Sequence, residues 1–211
     1  MFNAWGRALG PRIEVVPVEV ENRERFATLS QLVEVLHDEL RSELDGAHVF
    51  FGHSFGALLA YRLVCLRAAA GAVLPRALVV SSYAPPHLPP PIPSVDELQL
   101  AAVLSDLGGM PAELTQWPAL HDRAIAATRA DLRLCATDED DDVVPLPCPI
   151  YAFGGSDDPL VSEPDLHEWR SRTTGEFSVQ IHRGGHFYLS DGPQLFATLR
   201  RQLSRIGGTQ C

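Results

Sequence analysis

Short apolar runs alternate with stretches of helical periodicity along most of the chain. IEVVPVEV (Ile13–Val20) predicts a buried strand, with Pro17 inside it suited to an edge or a bulge. Thr28 or Ser30 can cap a helix running to about Glu43, with Leu32, Val33, Val35, Leu36 and Leu40 on one face. AHVFFG predicts a second strand and Phe55–Arg67 a second helix. RALVVSS (Arg76–Ser82) and CPIYAFGG (Cys148–Gly155) predict the third and fourth strands. A helix over Glu163–Ser171, a fifth strand EFSVQIHR (Glu176–Arg183) and a closing helix over Pro193–Arg205 complete the pattern. Short apolar strands alternating with helices imply an α/β fold, a mostly parallel sheet covered on both faces. At 211 residues, a single domain over 1–211 is expected.

The rhythm breaks from Ala84 to about Val144, where no strand is predicted. APPHLPPPIP is a stiff proline-rich connection, followed by helical patterns around Val95–Leu107 and Ala119–Cys135. An insertion of about residues 84–144 between two strands predicts a helical lid over a site; the alternative is a plain packing layer.

Composition narrows the function. The net charge of −10 argues against a nucleic-acid or anionic-membrane partner. No apolar run reaches transmembrane length, and MFNAWGRALG lacks the charged and apolar regions of a secretory leader. The four cysteines, Cys65, Cys135, Cys148 and Cys211, form no C-x-x-C pair, so free thiols in a reducing cytoplasm are expected rather than a metal site or disulfides. The acidic run TDEDDD (Thr137–Asp142) lacks a glycine-shaped ligand loop and is expected to be solvated. Neither a cofactor nor a metal is called for.

The chemistry centres on HVFFGHSFGALLAYRL, where G-H-S-F-G joins a strand to a helix. In that setting a strained turn lifts the Ser54 hydroxyl clear of the backbone, and Gly52 and Gly56 are expected to prevent clashes within it. The helix beginning at Phe55 aims its N-terminus at the serine, so the Phe55 backbone N–H is a candidate oxyanion donor. A serine hydroxyl needs a base. Of eight histidines, His186 in RGGHFYL follows the last predicted strand, with two glycines to turn it back over the sheet. His53 is expected to pack instead, and His87, His121 and His167 to lie at the surface. GGSDDPLV follows the fourth predicted strand and offers Asp157 and Asp158 as the group that orients the base. Asp157 can cap its own turn, so Asp158 is favoured. Ser, Asp, His is the chain order of α/β-hydrolases. Met110 and Trp117 in the insertion are candidates for an acyl pocket, with core packing as the alternative.

These segments resemble a known family. GHSFGALLAYRL, CPIYAFGGSDDPLV, the W-R-x-x-T pattern in EWRSRTTGEFSV, and GGHFYL together resemble type II thioesterases, the discrete editing enzymes of bacterial polyketide and nonribosomal peptide pathways. Animal medium-chain fatty-acyl thioesterases are relatives of that family. The resemblance implies an α/β-hydrolase that cleaves acyl thioesters from the phosphopantetheine arm of an acyl or peptidyl carrier protein. It implies Ser54, Asp158 and His186 as the triad, the Phe55 N–H in the oxyanion hole, and a lid around an acyl chamber. Two departures stand out. Glu21 and Asn22 in VEVENRERF occupy the places of a proline-glycine pair. An opening apolar strand with a loop resembling F-P-x-A-G-G, source of the second oxyanion donor, has no counterpart before MFNAW. Two expectations follow: a start site further upstream, or a shift of IEVVPVEV to pair directly with AHVFFG. Arg23 and Arg25 are candidates for contact with an acidic carrier protein. The competing functional readings are a general carboxylesterase and a non-catalytic remnant that binds acyl chains or a carrier protein.

Overall fold

The computed structural model describes residues 5–89, 97–108, 117–139, 144–191 and 193–207. A short helix α1 (Trp5–Leu9) opens the described chain, followed by a 3-10 turn at Arg23–Arg25 and helix α2 (Leu29–Glu39). Strand β1 (Phe50–His53) leads into helix α3 (Phe55–Ala69), and strand β2 (Leu78–Ser81) follows. Helices α4 (Glu97–Asp106) and α5 (Pro118–Cys135) precede strand β3 (Ile150–Gly155). Helix α6 (Glu163–His167) continues as a 3-10 turn over Glu168–Arg172, then come strand β4 (Phe177–His182) and helix α7 (Pro193–Gly207).

The four strands form one parallel sheet in chain order, β1-β2-β3-β4. Parallel neighbours need crossovers: α3 joins β1 to β2, α4 and α5 join β2 to β3, and α6 joins β3 to β4, while α1 and α7 cover the opposite face. The period of two along each strand divides the core. Leu78, Val80, Ile150 and Ala152 pack with α2 and α3, while Val79, Tyr151 and Phe153 pack with Trp5 of α1 and Leu195 and Leu199 of α7. Helix α3 is apolar nearly all round and is buried on most of its circumference, as such a pattern requires. Its buried Arg67 is tolerated because Nε donates to the Val73 carbonyl at 2.8 Å and a terminal nitrogen to the Leu44 carbonyl at 2.9 Å.

Most of the expected elements form, with ends trimmed by a few residues. Thr28 supplies the cap of α2, accepting from the Gln31 N–H at 3.3 Å. That helix stops at Glu39 rather than Glu43, because the chain tightens into turns that bring Leu44 into the core. Helix α1 was not foreseen: five residues give too short a periodic window, and it is held by Trp5 meeting Phe51 and Phe196 edge-on at 4.7 and 5.3 Å.

Ile13–Val20 departs from expectation. It is not a strand and does not pair with β1; Val16 and Val18 are 56% and 48% exposed. Ile13 and Val15 still pack on the α1/α7 side and Val20 on the α2/α3 side. Without a neighbouring strand in register among the described residues, and with Pro17 lacking an N–H, alternating apolar residues alone do not make a ladder.

The acidic run is also only partly as expected. Asp138 forms a two-point pair with Arg62 of α3 at 2.7 and 2.8 Å, and Thr137 Oγ1 accepts from the Leu29 N–H at the head of α2. Asp140, Asp141 and Asp142 lie outside the described residues. Arg23 is likewise engaged within the chain, donating to both oxygens of Asp131 on α5 at 2.9–3.0 Å, and the Arg25 guanidinium lies 4.7 Å from the Phe26 ring centre.

Candidate active site

The carboxyl ends of the four strands each deliver one polar residue to the same place: Ser54 after β1, Ser82 after β2, Asp158 after β3 and His186 after β4. Ser54 sits between strand and helix at φ 53, ψ −127, a conformation L-residues rarely adopt. Such strain costs about 1–3 kcal/mol and persists only where its surroundings enforce it. Here the Ser54 N–H donates to the Ser81 carbonyl at 2.8 Å, and the Ser54 carbonyl accepts from Ala57 N–H at 2.8 Å. The turn is so tight that a Cβ on Gly52 would lie 2.2 Å from the Gly56 carbonyl oxygen. Gly56 behaves differently from expectation: a Cβ there would meet nothing within 4 Å. Close approach demands glycine on the strand side of the serine only.

His186 is delivered by a loop pressed against the end of β3. A Cβ on Gly155 would lie 2.3–2.4 Å from the carbonyl oxygens of Gly185 and Gly184, and Gly184 itself adopts φ 126. The Gly184 carbonyl accepts from the Asp157 N–H at 2.9 Å, locking the two loops together. His186 Nε2 is 3.1 Å from Ser54 Oγ, and its Nδ1 is 3.0 and 3.2 Å from the two Asp158 oxygens. Both partners are almost fully enclosed, with side-chain exposures of 3% for His186 and 0% for Asp158. Burial alone pushes the Asp158 carboxyl up. The bond and charge of His186, the Leu160 N–H at 2.9 Å and the Ser82 hydroxyl outweigh it and hold Asp158 below the usual carboxylate range. An ionised Asp158 fixes the proton of His186 on Nδ1 and leaves Nε2 as the acceptor facing Ser54. Asp157 takes another role, with its carboxylate bound to the Ser156 hydroxyl at 2.9 Å.

Helix α3 starts at Phe55, so that residue's N–H belongs to the helix N-terminus beside Ser54. Met110 lies outside the described residues. Trp117 stands at the head of α5 and is 63% exposed. His121 and His167 lie outside the polar row, whereas His87 is partly covered and accepts from Arg172 Nε at 3.2 Å.

Ser82 was not singled out from the sequence. Its φ of 48 turns it at the end of β2, where its hydroxyl serves Asp158 and lies 3.4 Å from the His186 carbonyl. The signal was present: two serines ending the otherwise apolar ALVVSS at a strand's carboxyl end. His53 was expected only to pack. It does, yet its ring centre is 5.1 Å from that of His186 and its Nδ1 bonds Ser81 Oγ at 3.0 Å.

A parallel sheet with helices on both faces, and a Ser–His–Asp relay at the strand carboxyl ends, define the chain as an α/β-hydrolase. A family model described as "Thioesterase domain" matches residues 1–203, so the chain belongs to the thioesterase family. It is 30% identical to the gramicidin S biosynthesis protein GrsT of Aneurinibacillus migulanus, over 89% of this chain and 77% of that protein. Among solved structures it is similar to RedJ, a thioesterase from the prodiginine biosynthetic pathway in Streptomyces coelicolor. The TM-score is 0.86 at 36% identity, covering 95% of this chain and 79% of RedJ. BorB, the type II thioesterase of the borrelidin biosynthetic cluster, is similar at TM-score 0.81 and 29% identity, covering 96% and 86% of the two chains.

Proposed function

We propose that this protein hydrolyses acyl thioesters carried on the phosphopantetheine arm of an acyl or peptidyl carrier protein, in polyketide or nonribosomal peptide assembly. The observation that carries this reading is the relay itself: Ser54 Oγ 3.1 Å from His186 Nε2, backed by buried Asp158. Ser54 attacks the thioester carbonyl carbon as His186 Nε2 takes its proton. The oxyanion of the tetrahedral adduct faces the Phe55 N–H and the positive end of α3. Collapse expels the pantetheine sulfur, which receives the proton from His186, and leaves an acyl ester on Ser54. His186 then deprotonates a water, which attacks that ester, and the same proton returns to Ser54 as the acid departs. Asp158 stays ionised and holds the imidazolium in place.

Helices α4 and α5, between β2 and β3, are assigned to the lid, with the exposed Trp117 at the head of α5 open to an acyl chain. The described cysteines Cys65, Cys135 and Cys148 are free thiols, which suits a reducing cytoplasm. Among the described residues no helix is long and apolar enough to cross a membrane.

The test is thiol release from a series of acyl-pantetheine thioesters, with p-nitrophenyl esters in parallel and Ser54→Ala alongside. Turnover that disappears in Ser54→Ala supports the reading. Equal rates for the two proteins reject it, and ester turnover without thioester turnover moves the assignment to a carboxylesterase.

A further inference from the structure

Behind the relay lies a second polar row, on the α1/α7 face of the sheet. Register pairs His53 on β1 with Ser81 on β2. His53 Nδ1 is 3.0 Å from Ser81 Oγ, and Ser81 Oγ is 2.7 Å from the Tyr188 hydroxyl. Ser81 and Tyr188 are buried, and Tyr188 lies two residues beyond His186. Its position is fixed from several sides. Its N–H donates to the Gly185 carbonyl at 3.1 Å, a Cβ on Gly184 would come within 3.2 Å of its own Cβ, and its ring stacks on His182 at 5.2 Å and 3°. The His53 ring is 5.1 Å from His186 and 5.5 Å from Phe187, centre to centre. Thus the two residues that flank Ser54 and follow His186 are joined through Ser81.

We propose that His53, Ser81 and Tyr188 form a hydrogen-bonded brace that holds the His186 loop in register with the Ser54 turn. All three are positioning residues, since none touches the reacting atoms. The brace rests on the hydrolase reading above, because it acts through that site. His53 suits the task by staying uncharged: burial first, then the nearby charge of His186, push it down to about 3. A neutral ring adds no charge beside His186 when the latter becomes an imidazolium. Only Nδ1 of His53 is bonded; Nε2 is buried with no partner among the described residues. The brace therefore needs a polar atom at the Nδ1 position and nothing at the Nε2 position.

That asymmetry supplies the experiment. Asparagine places a polar atom where Nδ1 stands, glutamine where Nε2 stands. Tyr188→Phe and His53→Gln should each lower kcat for acyl-pantetheine hydrolysis on the order of tenfold, as expected for a small misplacement of the base. KM should stay within about twofold, because the acyl chain is held elsewhere. His53→Asn should recover most of the kcat lost in His53→Gln. Rates are taken per fluorophosphonate-titrated site, so partial unfolding does not masquerade as lost kcat. Tyr188→Phe removes a single oxygen and covers the case in which a position-53 variant fails to fold. Parental kcat in Tyr188→Phe, or equal losses in His53→Asn and His53→Gln, overturns the brace. Both outcomes leave the thioesterase reading intact as long as the parent hydrolyses thioesters and Ser54→Ala does not. A parent without turnover removes the reading itself, and the brace with it.

Discussion

Substituting the two glycines that flank the nucleophile should give opposite results. In Gly52→Ala the new methyl would stand 2.2 Å from the Gly56 carbonyl oxygen and 2.5 Å from Ala57 Cα. Carbon and oxygen not bonded to one another rarely come within about 3 Å, so the first turn of α3 must withdraw by roughly 1 Å. The obstructing atoms are helix backbone, which cannot rotate aside like a side chain. Overpacking of this kind costs about 1–3 kcal/mol. For a chain of this length each kcal/mol lowers the thermal midpoint by about 2–4 °C, giving a fall of roughly 2–12 °C. The same displacement opens the 3.1 Å contact between Ser54 and His186, and a misplacement near 1 Å costs about a hundredfold in rate. Gly56→Ala adds its methyl to open space inside a helix, where alanine is favoured over glycine by about 0.5–1 kcal/mol. Its midpoint should rise by about 1–4 °C. Circular dichroism on heating gives the midpoints, and fluorophosphonate labelling of Ser54 gives the rates. A Gly52→Ala protein that melts within about 1 °C of the parent and labels at the parental rate would refute the steric account. So would a Gly56→Ala protein as damaged as Gly52→Ala.

Asp158→Asn keeps the shape of the relay but favours the wrong tautomer of His186, so kcat should fall about 10⁴-fold with little change in KM; a loss under tenfold contradicts the orienting role. Burial pushes Asp131 up to about 7 despite the Arg23 pair, so the folded protein holds this proton more tightly than the unfolded chain. That contribution to stability is complete below about pH 4 and lost as pH rises through about 7, so the parent's midpoint should fall more steeply from pH 5 to 8 than that of Asp131→Asn. Parallel pH curves for the two proteins would discard this prediction. Thr173→Val removes a hydroxyl that is 2.7 Å from the Cys148 carbonyl and accepts from the Gly175 N–H at 2.8 Å. It should cost about 1–3 kcal/mol in urea unfolding, and since the site is remote, the labelling rate of Ser54 should stay parental.

Legibility in the sequence followed how local the cause was. The strand–serine–helix junction, the glycine-flanked His186 and the Asp after β3 were readable because a few neighbouring residue types dictate each conformation. W-R-x-x-T was readable as a pattern but not as a structure. Trp169 turns out to donate to the Tyr83 carbonyl at 2.8 Å, and Thr173 to tie down the segment that leads into β3 by donating to the Cys148 carbonyl. Pairing was the least legible property. Ile13–Val20 has strand-like alternation, yet pairing depends on what lies beside it, which its own residues do not encode. The bonding of His53 and of Ser82 escaped for the same reason: their partners are 28 and 104 residues away, as the His53–Ser81 and Ser82–His186 contacts show, whereas Phe187-Tyr188-Leu189 read from the sequence as an anchor for the His186 loop. Asp138 read as solvent-facing because its Arg62 partner is 76 positions distant.

Each neighbouring strand contributes one functional side chain at its leading tip, and none at its trailing end. The connections that enter the strands, around Ala72–Ala77, Val144–Pro149 and Thr174–Glu176, are therefore mechanically remote from the reaction. An engineer could lengthen them, fuse a tag into them or open new chain ends there at a cost confined to folding. A graft of equal size at Ser156–Asp157 or Arg183–Gly185 would disassemble the catalyst outright.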